Sequence, residues 1–191
     1  MRSTRSRPPF RRVSPPPRVR PGAGAPRAVL LGAALGWGLL SAACQPAGDT
    51  PWVSPVAFDT AEVWVVEGAD SARLLVELAT SEQQRQFGLS RRPSLDPESG
   101  MLFLFDEPRA ATDGFWMWQT RISLDIAFVD SAGVIQAVLQ MEPCTATYAN
   151  GCTPYEPGVA YASALEANVG WFEAKGFGVG SRVLGIPDIT P

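Results

Sequence analysis

The side chains able to do chemistry in this chain are few. Trp116, Trp118, Gln119 and Thr120 form one short run, and Arg85, Asp125, Glu166 and Asn168 stand apart from it. The chain has no histidine, which excludes Ser-His-Asp and Cys-His catalysis and histidine metal sites. Three cysteines at these spacings make no zinc knot, and Lys175 is the only lysine, which disfavours a Ser-Lys dyad. No phosphate loop, dinucleotide fingerprint or regular acidic calcium loop appears. The expectation is therefore no metal, no cofactor and no assigned catalytic residue. An aromatic platform with polar neighbours remains. It reads in two ways: a pocket whose indoles stack on an apolar ligand face or a sugar ring, or plain core, since Trp and Phe at strand spacing are most often buried.

The isolated polar groups carry alternatives too. Asp125 starts an apolar strand, where it caps the preceding turn or pairs with Arg85. Glu166 ends an apolar strand and is placed to meet the same arginine. If Asp125 and Glu166 faced one cleft, their pKa values would split and acid/base hydrolysis would follow. Asn168 is expected to cap a helix and Tyr155 to lie over the core or at a cleft rim.

Compartment is written at the head. Met1 to Cys44 holds eight arginines and no acid, then an apolar run over 28–43 ending Ser41-Ala42-Ala43-Cys44. That order reads as an export signal, residues 1–43. Cys44 would then be the lipid-modified first residue, although Ser41 stands where a lipoprotein box usually has leucine. Ordinary cleavage after Ala43, or a retained membrane helix, are the alternatives. A proline-rich linker over 44–60 follows, then a single domain over 61–187. From Cys44 onward eight basic residues face nineteen acidic ones, a net charge of -11. Such a body repels phosphate backbones, so no nucleic-acid partner is expected. Cys144 and Cys152 are expected to pair in an oxidising compartment, leaving Cys44 as the odd cysteine. The expected location is the periplasm or the outer face of the cell envelope, with the membrane as a partner through the lipid anchor.

The elements that must position these groups are mostly strands. Glu62–Val66 and Arg73–Leu78 form a hairpin across Gly68, and Thr80 with Gln83, or Ser81 with Gln84, has the spacing of a capping box ahead of a short helix ending at Gly88. Met101–Phe105, Leu124–Val129, Val134–Met141, Val159–Ala167 and Arg182–Ile186 read as strands. Phe115–Trp118 is a further apolar run, and Val169–Lys175 a second short helix stopped by Gly176. The predicted fold is mostly β: a compact β-barrel-like or strongly bent antiparallel sheet with two short helices.

Several stretches together resemble domain-of-unknown-function family 192. They are Gly100-Met101-Leu102-Phe103-Leu104-Phe105, Phe115-Trp116-Met117, Leu124-Asp125-Ile126-Ala127-Phe128-Val129-Asp130, Arg85-Gln86-Phe87-Gly88-Leu89, Leu165-Glu166-Ala167-Asn168-Val169-Gly170-Trp171 and Gly180-Ser181-Arg182-Val183. The chain departs from the family pattern at Trp118-Gln119-Thr120, where Lys-Asn-Thr is usual. The resemblance implies a compact β-rich domain, often exported, without an established activity.

Three functions follow as expectations. The first is a membrane-tethered module binding a small molecule, glycan or protein. The second is a carboxylate hydrolase using Asp125 and Glu166, and the third a structural envelope protein with no small ligand.

Overall fold

A computed structural model describes residues 52–188. The segment expected to be an export signal, Cys44 and the first part of the expected linker lie outside the described residues. Seven strands form one sheet: β1 (Asp59–Glu67), β2 (Asp70–Ala79), β3 (Ser99–Arg109), β4 (Leu124–Val129), β5 (Ile135–Met141), β6 (Tyr161–Asn168) and β7 (Arg182–Leu184). Their order across the sheet is β5-β4-β6-β3-β2-β1-β7. The sheet curls until its two edges meet at one end. There Val134 bridges Arg182, Ile135 N–H donates to Ser181 O at 2.9 Å, and Val183 N–H donates to Gly133 O at 2.8 Å. The result is a curled half-barrel with two short helices, α1 (Glu82–Phe87) and α2 (Trp171–Lys175).

The sheet is mixed rather than wholly antiparallel as expected. β3 runs parallel to β2, with Leu75 opposite Ser99 and Ala79 opposite Phe103. Parallel neighbours need a crossover, and residues 80–98, carrying α1, supply it. Of the two capping boxes expected at the start of α1, the one at Ser81 forms: Ser81 Oγ accepts from Gln84 N–H, while Gln84 Oε1 accepts from Ser81 N–H.

Side chains alternate along each strand. One face of the sheet is buried throughout, and the other is buried over β3, β4 and β6 but exposed on β1 and β2, where Trp64 and Leu75 lie open. One face lines the inside of the curl, where Val63, Val65, Leu74, Val76, Leu102 and Leu165 meet Trp171 and Phe172 of α2. The other face carries Met101, Phe103, Ile126, Phe128 and Ala164 under the irregular segments around Met117 and Tyr155. Phe115–Trp118 is not a strand. It touches its neighbours through two isolated bridges, Phe115 with Tyr155 and Trp118 with Cys144.

Cys144 and Cys152 form the expected disulfide. Asn168 does not cap α2. It ends β6, and its amide donates to Leu95 O at 3.3 Å and Asp96 O at 2.9 Å. Gly170 sits at the N-cap instead, with φ 77°, a left-handed turn that lets strand β6 pass directly into α2.

Candidate functional site

The outer face of the sheet opens into a cleft of about 610 Å³ between β3, β6, α1 and the segment around Trp116. Glu166 lies at its floor. The register of β6 puts Leu165 and Ala167 inside the curl, so Glu166 must face outward, beside Met101 and Ile126. It is 5 % exposed and lacks any hydrogen-bond or ionic partner among the described residues. Burial among apolar neighbours disfavours the charged form and pushes its carboxyl up to about 8. At neutral pH it is mainly a neutral acid, able both to donate and to accept a hydrogen bond.

Aromatic rings build the walls. Phe103 meets Phe115 edge-on at 4.9 Å, and Phe105 meets Tyr161 at 5.7 Å. Tyr161 donates its hydroxyl to Asp113 O at 2.7 Å, and burial pushes its phenol up to about 12. Trp116 stands at the mouth, 52 % exposed, where the core reading of this residue would have hidden it. Thr120 also lines the cleft and is itself buried.

Arg85 reaches the cleft from α1. Its Nη1 donates to Thr80 O, and to Leu104 O at 3.0 Å, and its guanidinium lies 5.3 Å from the Phe105 ring centre. Arg109 reaches the same ring from the end of β3, at 5.4 Å.

Four of the eight predicted site residues therefore converge: Arg85, Trp116, Thr120 and Glu166. The other four do not line the cleft. Trp118 is half-buried beside Cys144, and Asn168 lies with the loop at Leu95 and Asp96. Gln119 adopts φ 61° and Arg91 φ 64°. The two clasp each other, Arg91 N–H donating to Gln119 O at 2.8 Å and Arg91 Nε to Gln119 Oε1 at 2.7 Å. Gln119 thus keeps a left-handed turn at the position where the family pattern has Asn, a residue that tolerates this conformation better.

Asp125 corrects two expectations. It makes no pair with Arg85, and it points into the curl with Ala127 and Val129, on the opposite face of the sheet from Glu166. Its Oδ2 accepts from Phe172 N–H at 3.4 Å, and Oδ1 is buried without a partner. The two carboxyls cannot flank one bond across a sheet, which removes the carboxylate-pair hydrolase. Glu166 likewise makes no pair with Arg85.

Phe105, Arg109, Phe115 and Tyr161 escaped the sequence reading as site residues. For the three on β3 and β6 the signal was alternation, since the faces of those strands follow once Met101 is set opposite Glu166. Phe115, held by an isolated bridge to Tyr155, had no such signal.

A seven-strand curled sheet with an aromatic cleft on its outer face defines the class of domain. The chain belongs to the family described as DUF192, Uncharacterized ACR, which matches residues 64–185. A protein of Sinorhizobium meliloti 1021, provisionally described as a transcription regulator, has a similar structure. It is 29% identical with a TM-score of 0.62, and the match covers 69% of this chain and 98% of that one. A protein of unknown function from Novosphingobium aromaticivorans DSM 12444 is 30% identical with a TM-score of 0.60, covering 71% of this chain and 93% of that one. No curated protein matches.

Proposed function

We propose that this protein is a binding module that holds a small ligand in the outer cleft, exposed to the space beyond the cytoplasmic membrane. The observation that carries this reading is Glu166: a buried acid with no partner among the described residues, at the floor of an open aromatic cleft. A buried polar group is normally satisfied by the protein, and one left free toward a cleft is suited to a ligand. Its neutral form matches a carbonyl, hydroxyl or amide on that ligand. Exposure of Trp116 at the mouth favours this over a purely structural role, which calls for a covered indole and no cleft.

The arginine-rich head, the apolar run and Cys44 support export with a lipid anchor, as does the pairing of Cys144 with Cys152. Among the described residues no helix is long and apolar enough to cross a membrane. The acidic domain gives no support to carrying over a role in transcription from the Sinorhizobium protein's description.

A thermal-shift screen against envelope glycans and lipophilic metabolites tests the binding reading. At least one compound is expected to raise Tm in the native protein and not in Trp116→Ala. No shift across the set counts against it.

A further inference from the structure

We propose that the ligand is a flat apolar anion, with its charge held between Arg85 and Arg109 and its body against Phe105, Phe115 and Trp116. This rests on the cleft being a binding site and goes on to name the chemical class it takes.

The argument is one of charge. Beyond the export signal the protein is strongly acidic, yet two guanidiniums converge on one phenyl ring inside this cleft. Their separation cannot exceed the sum of their distances to that ring, about one Debye length, so each feels the other's charge. Arg109 is neutralised by Asp113, at 2.9 Å. Arg85 is not. Its hydrogen-bond partners are the carbonyls of Thr80 and Leu104, which satisfy Nη1 and carry no formal charge. Its Nε and Nη2 bind no carboxylate among the described residues, and the side chain is half-buried. The nearest acid on its own helix, Glu82, instead accepts from Gln86 at 3.0 Å. A half-buried guanidinium with no carboxylate bound to it, beside an arginine already paired with its acid, is the natural seat for a carboxylate, sulfonate or phosphate, because the guanidinium fork meets such groups with two parallel hydrogen bonds.

The rest of the cleft fits the other end of that ligand. Phe105, Phe115, Tyr161 and Trp116 offer ring faces and edges to a planar body. Glu166, protonated at neutral pH, adds no negative charge at the floor to oppose an anion, and offers it a hydrogen-bond donor. Glu82 and Asp113 also line the cleft, but Asp113 is bound to Arg109 and Glu82 to Gln86, so a cationic ligand would meet Arg85 with no uncommitted carboxylate beside it.

Three probes with one naphthyl body separate the alternatives: naphthalene-2-sulfonate, 2-naphthylmethanol and 2-naphthylmethylammonium. Each is titrated into the protein by calorimetry at neutral pH and low salt, with Trp116 fluorescence as a second readout. The sulfonate is expected to bind at least about tenfold tighter than the other two, with the advantage shrinking as salt is added. Arg109→Gln, at an exposed position, is expected to reduce that advantage, and Arg85→Gln to remove it. Because Arg85 also holds the carbonyls of Thr80 and Leu104, the comparison of the three probes on the unaltered protein decides the matter if that variant does not fold. Equal binding of sulfonate and alcohol overturns the anion assignment and leaves the cleft as a binding site. Tighter binding of the ammonium overturns it as well. No binding by any probe, with Trp116 emission unchanged, tells against both readings.

Discussion

Glu166→Gln removes the ionisable group from the cleft floor and keeps its size and hydrogen-bonding capacity. In the unfolded chain the carboxyl titrates near its ordinary value of 4.5, and in the folded protein near 8. Between those values the folded state holds a proton that the unfolded state has released. Stability is then greatest below the unfolded value, falls as pH rises toward 8, and levels off above it. The gap between the two values sets a ceiling of roughly 5 kcal/mol at about 1.4 kcal/mol per pH unit. Water entering the open cleft lowers the penalty, so a loss of about 2–4 kcal/mol is expected on going from about pH 5 to about pH 9. The missing histidines make this readable, because no imidazole titrates inside the window. Urea denaturation at several pH values gives the profile for the wild type and for Glu166→Gln. The variant should be flat across the window and the more stable of the two at the alkaline end. Parallel profiles would show that the floor is already wet or paired, and would remove the physical basis for a free buried acid.

Changes at two further positions probe the scaffold around the site. A Cβ added at Gly100 would lie 2.3 Å from Glu166 O, so Gly100→Ala is expected to force β3 away from β6 and cost roughly 3 kcal/mol in thermal or urea unfolding. Gln119→Asn places a residue better suited to φ 61° in the same turn but withdraws the amide oxygen from Arg91 Nε. The two effects, each about 0.5–1 kcal/mol, are expected to offset and leave Tm within a few degrees of the wild type. Gln119→Ala, which loses the bond without that relief, is expected to lower Tm through a loss of about 1 kcal/mol of stability.

Local rules made much of the fold legible. The capping-box spacing within Thr80–Gln84 announced α1, and apolar runs located the strands. The parallel pairing of β2 with β3 was not legible, because a helix between strands does not say on which side the chain returns. Phe115–Trp118 is an apolar run with strand composition, yet it forms no strand, and two single bridges and the nearby disulfide set its position. At the site, Arg85, Trp116, Thr120 and Glu166 were found by residue type. Asp125 was misplaced because its face depends on the pairing of Ile126 with Glu166, a long-range register that residue type does not encode. Asn168 looked like a cap on composition alone; the left-handed Gly170 two residues later took that place.

The two faces of β6 divide the molecule's tasks between neighbouring positions. Leu165 belongs to the packing inside the curl, and Glu166, one step along, belongs to the cleft. Substitutions on the cleft side can therefore retune what is recognised with little effect on the interior. An insertion of one residue into this strand would instead turn the acid inward and the leucine outward, so the segment is open to exchange of side chains but closed to changes of length.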